Sequence, residues 1–296
     1  MNNRAIHLPH DDQDCGWYAA LPAPAAPRRL TGRQQVDYAV IGAGFAGLAA
    51  ARQLAEHVPD ARIVLVDAQR VGYGASGRNS GFVIDLPHKM ALEHPDPAHK
   101  QRLLGLNRSA IAQLQRLIGE HRIDCQWSHA GKYQGAVGAR GLAYLEHFEH
   151  LMRELGEPFH SVEGDELANV LGTRHYRRAV YTPGSYLMQP AALVRGLADS
   201  LPGNVELLEE SPIQGLQRDA QGQWLLQGRD GQIRTPRLLL GTSIFTQEFG
   251  YLRSRLLPVM TFASWTRPLT QAEMDAIGMQ ADWGLTPADH AGTTVR

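Results

Sequence analysis

Three glycines, Gly42, Gly44 and Gly47, stand in the spacing G-x-G-x-x-G inside the run Val40–Ala50. In a turn from strand to helix each has a task. Gly42 permits the tight turn, Gly44 lets the backbone approach a pyrophosphate, and Gly47 lets helix and strand pack closely. The helix start adds free N–H groups and a partial positive charge. Asp67 follows twenty residues after Gly47, where a carboxylate accepts hydrogen bonds from an adenosine ribose and disfavours a 2′-phosphate. Three glycines alone only interrupt a helix start; strand, helix, second strand and acid in series favour a dinucleotide site. NAD and FAD present the same ADP half to such a unit, so this turn leaves the choice between them open.

A second glycine-rich stretch follows the acid: Gly72, Gly74, Ala75, Ser76 and Gly77 precede Arg78 and Asn79. It offers several backbone N–H groups with hydroxyl and amide side chains, enough to embrace the far phosphate and ribityl chain of an extended dinucleotide. The alternative is an ordinary surface loop, since Gly, Ser and Asn are common turn residues.

Other residues carry weaker signals. Arg255 and Arg267 offer a cation for a substrate carboxylate, against the ordinary fate of arginines on a solvated surface. Tyr251, Trp265 and Met188 have the bulk to line an apolar pocket or simply to fill core. His88 is placed to carry a proton, with no partner visible in the sequence. There is no G-x-S-x-G and no H-E-x-x-H, so no serine-nucleophile or zinc site is indicated and the metal expectation is none.

The elements that must position these residues are legible in outline. "YAVIG" and "ARIVLVDA" are apolar runs of strand length flanking the alanine-rich "FAGLAAARQLAEHV". That makes a β-α-β unit whose strands are apolar throughout, as in a parallel sheet covered on both faces. Leucine and isoleucine spacing predicts an amphipathic helix over 100–120. "CQWSHAGKYQGAV" reads as strand, "GLAYLEHFEHLMRELG" and "SVEGDELANVLG" as helices, and Pro190 as the first residue of another. "NVELLEE", "SPIQGLQRD", "GQWLLQGRDG" and "TPRLLLGTS" read as short strands, and "PVMTFASWTRPL" as a long one before a capping box at Thr270 and Glu273.

With 296 residues, 43% hydrophobic, the chain can bury a sizeable core. Its 29 basic residues nearly balance its 30 acidic ones, which argues against nucleic acid or an anionic membrane as a partner. Two distant cysteines, Cys15 and Cys125, fit a reducing compartment. No apolar run has the length of a signal peptide or membrane span, so a cytoplasmic location is expected. The fold class expected is α/β, a Rossmann-like dinucleotide domain interleaved with a mixed-sheet α+β domain. Residues 1–35 would be an extended arm, 36–100 and 180–245 the nucleotide domain, and 101–179 and 246–296 the substrate domain.

"VIGAGFAGLAAA", "VLVDA" and "GASGRNSGF" together resemble the D-amino-acid-oxidase-like superfamily of FAD-dependent amine and amino-acid oxidoreductases, which includes glycine and sarcosine oxidases. "GASGRNSGFVIDLPH" and the leader "CGWYAALPAPAAP" are most similar to bacterial L-pipecolate oxidases, with γ-glutamylputrescine oxidases next. The resemblance implies FAD as cofactor, with Gly42, Gly44, Phe45, Ala46 and Gly47 on the pyrophosphate and Asp67 with Ala68 at the ribose. Gly74, Ala75, Ser76, Arg78, Asn79, Ser80 and Gly81 would lie toward the flavin. Ile213 would contact the adenine, and Gly241 would sit in a later flavin-contacting turn. It implies oxidation of an amine or amino acid, favouring a secondary amino acid such as L-pipecolate, with electrons leaving to oxygen or a quinone-linked acceptor. γ-Glutamylputrescine oxidation and a non-catalytic nucleotide-binding chain are the alternatives. Because members of the superfamily continue beyond the equivalent of Arg296, the resemblance also implies a C-terminal truncation. It points to no catalytic residue, and the oligomeric state is open.

Overall fold

The computed structural model describes residues 15–87, 94–278, 282–289 and 292–296. They divide into two compact units, one drawn from the chain up to Asn79 with Pro190–Ala263, the other from Ser80–Gln189 with Ser264–Arg296. The sequence reading puts changeovers at 100, 179 and 245, whereas contacts within the units change over at 79, 189 and 263.

The first unit opens with a short helix, α1 (Gly16–Ala19), and a strand, β1 (Gly32–Gln35), then runs through β2 (Tyr38–Ile41), α2 (Phe45–His57), β3 (Ile63–Val66) and α3 (Ala75–Arg78). The second unit contains β4 (Phe82–Val83), α4 (Pro97–His121), β5 (Lys132–Ala136), α5 (Ala139–Leu155), β6 (His160–Glu163), α6 (Gly164–Leu171), β7 (Arg178–Thr182) and β8 (Tyr186–Leu187). The chain returns to the first unit for α7 (Pro190–Asp199), β9 (Val205–Leu208), β10 (Ile213–Arg218), β11 (Trp224–Gly228), β12 (Gly231–Thr235) and β13 (Arg237–Leu240). It ends in the second with α8 (Gln271–Ile277) and β14 (Leu285–Pro287).

The centre of the first unit is an all-parallel sheet in the order β13-β2-β3-β9. Ala39, Val40, Val64, Leu65 and Val66 are buried, as expected for strands covered on both faces. Ala39, Ile41, Val64, Val66 and Leu208 meet Leu226 and Ile233 of a second sheet, ordered β1-β12-β11-β10. Alanines at 51 and 55 let α2 lie close to the parallel sheet, and Arg52 of that helix is buried. Its guanidinium donates to the carbonyls of Leu197 (3.2 Å) and Ser200 (2.7 Å) at the end of α7, satisfying acceptors a helix terminus leaves open.

The sheet of the second unit, β14-β5-β7-β6, combines one parallel and two antiparallel pairings. Period-two alternation buries both faces. Ala136 and Val180 pack against Leu145, Phe148 and Met152 of α5 and Leu104 of α4, while Val162 and Ala179 pack against Leu167 and Leu171 of α6. The Asp96 side chain caps α4, accepting from Ala98 N at 2.9 Å with Pro97 in the first turn. The expected capping box at Thr270 and Glu273 forms at α8.

Five features differ from expectation. The arm over 1–35 contains α1 and β1, because β1 finds a parallel ladder on β12. The strand expected over 125–137 is confined to β5, and β6 replaces the start of the helix expected at "SVEGDELANVLG". β12 forms where no separate strand was expected. No regular element forms over 258–269, where the long strand was expected. A strand is held by its neighbours' hydrogen bonds, and among the described residues no strand pairs with this segment, so Val259, Met260 and Phe262 stand exposed.

Candidate dinucleotide-binding site

In the first unit the carboxyl ends of β13, β2 and β3 converge, the edge at which open parallel sheets bind ligands. Gly241 N donates to Ile41 O at 2.7 Å and Gly42 N to Val66 O at 2.8 Å, which locks the turns after the three strands together. Gly42 has φ +100°, and a Cβ there would lie 2.6 Å from Gly241 O. At Gly47 a Cβ would lie 1.7 Å from Gly42 O. Neither position admits a side chain, so α2 begins directly against the turn. Phe45 N donates to Ser76 Oγ at 3.0 Å. The next two N–H groups of the first turn, on Ala46 and Gly47, have no hydrogen bond among the described residues. These are the donors a phosphate would take.

Asp67 directly follows β3, half-buried, accepting from Ala43 N through Oδ2 (2.6 Å) and from Gln69 N through Oδ1 (2.9 Å). Burial pushes its carboxyl above the ordinary range, and these N–H donors pull it back. Beyond it opens a cleft of about 510 Å³, lined by Ala68 together with Arg29, Leu30, Glu210, Ser211 and Pro212 among others. The sequence reading missed Arg29, Glu210 and Ser211, which adjoin Ala68 only through folding. Ile213 is buried in the core with Leu30 and Leu208, beside the cleft residues Ser211 and Pro212 in the chain.

The second glycine-rich stretch folds mainly upon itself. Arg78 Nε donates to Tyr73 O at 2.7 Å, and Asn79 Nδ2 donates to Ser76 O at 2.8 Å. Ser76 Oγ is the atom a Cβ on Gly44 would meet, at 2.8 Å, so the two glycine-rich segments touch. Gly74 and Ala75 are exposed, and a Cβ on Gly74 would meet nothing. Ser80 and Gly81 belong to the second unit, where Gly81 O accepts from Met188 N at 2.9 Å and Arg296 Nη1 donates to Met188 O at 2.7 Å.

The candidates for a substrate pocket do not share one environment. Arg255 is exposed, and Arg267 is paired with Glu273 at 2.6 Å. Tyr251 and Trp265 are exposed, whereas Met188 is buried in the second unit. His88 lies outside the described residues. The second unit instead holds charges the sequence did not single out. Buried Asp85 pairs with Arg108 at 3.3 Å, and Arg108 also bridges to Glu157. Lys132 is buried beneath α5 with its Nζ 5.8 Å from the Phe148 ring centre, and burial pulls its ammonium down to about 8. Asp85, attracting it, opposes that shift. Among the described residues no cluster of His, Cys, Asp and Glu could hold a metal ion, and no helix is long and apolar enough to cross a membrane.

Comparison with known proteins decides which dinucleotide family this geometry belongs to. The family model described as DAO, FAD dependent oxidoreductase, matches residues 37–296. The chain belongs to this family. A probable oxidoreductase, OrdL, of Rhizobium meliloti is 27% identical over 260 residues, covering 86% of this chain and 60% of the relative. The γ-glutamylputrescine oxidoreductase of Escherichia coli is 27% identical over 190 residues, covering 62% of this chain and 44% of its own length. Among solved structures, glycine oxidase from Geobacillus kaustophilus superposes with a TM-score of 0.64 at 19% identity, covering 73% of this chain and 58% of that one. L-Amino acid deaminase from Proteus myxofaciens gives 0.60 at 16% identity, covering 76% and 49%. These likenesses establish the α/β fold of DAO-type proteins. The chain spans about 60% of the length of the OrdL relative.

Proposed function

We propose that this chain holds FAD in its first unit and serves the oxidation of an amine or amino acid, with a cyclic secondary amino acid such as L-pipecolate as the favoured substrate. One observation carries the reading. The turn after β2 has no room for a side chain at Gly42 or Gly47, two N–H groups of α2 lack partners among the described residues, and Asp67 stands at the end of β3. These residues fit the ADP half of FAD. The donors of Ala46 and Gly47 suit the pyrophosphate, and Asp67, already oriented by Ala43 N and Gln69 N, keeps lone pairs for the ribose. The cleft beside Ala68 suits the adenine, with Ser211, Pro212 and Ile213 alongside. Gly74, Ala75, Ser76, Arg78, Asn79, Ser80 and Gly81 are assigned to the flavin side, and Gly241 to the turn that closes on it.

When bound, FAD supplies the acceptor for hydride from the carbon bearing nitrogen, giving an imine that water hydrolyses. The protein's own part is to bind, orient and exclude water. The glycine turn fixes one end of the cofactor, Ser76 ties the second loop to α2, and the sheet of the second unit is assigned to the substrate. Oxygen or a quinone-linked acceptor would take the electrons. Cys15 and Cys125, both free, fit work in the cytoplasm.

The Escherichia coli relative favours a second reading, oxidation of γ-glutamylputrescine. The test is the visible absorption spectrum of the purified protein, then anaerobic addition of each compound. Flavin bands bleached by L-pipecolate support the favoured reading, and bleaching by γ-glutamylputrescine alone supports the second. Bands that neither compound bleaches overturn both substrates, and absence of flavin bands after incubation with FAD overturns the cofactor assignment.

A further inference from the structure

We propose that Trp17 and Tyr18 are positioning residues that clamp the second glycine-rich loop in the shape in which it receives the cofactor. The proposal rests on the FAD reading above. Adjacent residues of α1 grip the two ends of the loop. Tyr18 OH donates to Val71 O at 3.1 Å where the loop begins, and Trp17 Nε1 donates to Asn79 O at 2.9 Å where it ends.

The phenol also crowds two of the loop's glycines. A Cβ on Gly72 would lie 2.2 Å from Val194 Cγ1 and 2.5 Å from Tyr18 OH, and one on Gly77 would lie 2.2 Å from Tyr18 OH and 2.4 Å from Gly72 O. Gly72 additionally has φ +73°, a backbone region L side chains avoid. Gly74 is different: nothing lies near its absent Cβ. The glycines at 72 and 77 therefore face the clamp, while Gly74 and Ala75 form the open side of the loop.

The clamp is itself braced. The Tyr18 ring lies 4.6 Å from that of Tyr73, and the Arg195 guanidinium stands 4.7 Å over the Tyr18 ring while donating to Pro22 O at 3.1 Å. Burial raises the phenol above its ordinary value, so it remains a donor through the working pH range. What the clamp fixes reaches the first glycine turn, because Ser76 lies inside the loop and accepts from Phe45 N at the start of α2. A loop released at Val71 and Asn79 would lose the register that sets Ser76 against Gly44.

The test uses Tyr18→Phe, which removes one oxygen, Trp17→Phe, which removes one N–H donor, and the two combined. Hydrogen exchange of the amides of 71–79 is measured in the FAD-free protein, and FAD affinity by titration at a temperature where all forms are folded. The expected result is faster exchange confined to the loop, and FAD binding weakened about fivefold in each single variant, the effect of one hydrogen bond. Should the double variant not fold, the single variants carry the test. Unchanged exchange in both overturns the clamp. Faster exchange with FAD affinity within twofold of the unsubstituted protein leaves a merely structural brace and overturns the positioning role. An unsubstituted protein that takes up no FAD overturns the cofactor reading itself, and the proposal with it.

Discussion

Replacing Lys132 with methionine should stabilise the protein at neutral pH and remove a pH dependence that belongs to this one side chain. The ammonium is buried under α5, 5.8 Å from the Phe148 ring centre and within the attraction of Asp85. Burial lowers it from the ordinary 10.5 to about 8. At about 1.4 kcal/mol per pH unit, that gap corresponds to roughly 3 kcal/mol held against the folded state while the lysine is charged. The sign follows from proton binding. Between about pH 8 and 10.5 the unfolded chain holds the lysine proton and the folded chain does not. Stability of the natural protein therefore rises with pH across that window through this group, and the full penalty applies below it. Methionine is unbranched and of similar length, and it fills the same space without the charge. Urea unfolding of both proteins between pH 7 and 10.5 should give the variant an advantage of about 2–3 kcal/mol at pH 7 that shrinks steadily toward the alkaline end. Other titrating groups are common to both proteins and largely cancel in the difference. An advantage that does not change with pH, or a variant less stable at pH 7, would refute the reasoning.

Gly47→Ala, whose Cβ would fall 1.7 Å from Gly42 O, should abolish FAD retention and lower stability by several kcal/mol, about 3 or more. Gly74→Ala should leave the melting temperature of the FAD-free protein unchanged, since its Cβ meets nothing, yet weaken FAD binding; equal affinity would remove Gly74 from the flavin side. Asp67→Asn presents an amide NH₂ to one of the two backbone donors now bonded to the carboxylate. It should cost about 1–3 kcal/mol in urea unfolding and at least about tenfold in FAD affinity by titration. Glu149→Gln removes a buried carboxylate that accepts from Ser161 at 2.5 Å and pairs with Arg178 and Arg153. The expected loss is about 3 kcal/mol in urea unfolding.

The sequence by itself determined the β-α-β unit, the glycine turn and the acid after the second strand, because each rests on local physics. Apolar runs at Ala39–Ile41 and Ile63–Val66 make buried strands wherever they are, and Gly47 lies where a Cβ would strike Gly42, five residues away. The capping box of Thr270 and Glu273 was legible for the same reason. Tertiary structure decided what depends on distant chain. The run at 258–269 has strand composition, yet no described strand pairs with it. β1 exists because β12 lies beside it, nearly two hundred residues further along the chain. The second glycine-rich stretch reads in sequence as a cradle for a cofactor; folded, Gly72 and Gly77 accommodate Tyr18, and Arg78 and Asn79 bond the loop's own carbonyls. Lys132 looks like a surface lysine until the pairing of β5 with β7 turns it beneath α5. Residue type and spacing fix conformations that close within one turn or one helix, whereas the environment of a side chain is set by segments that only folding brings together.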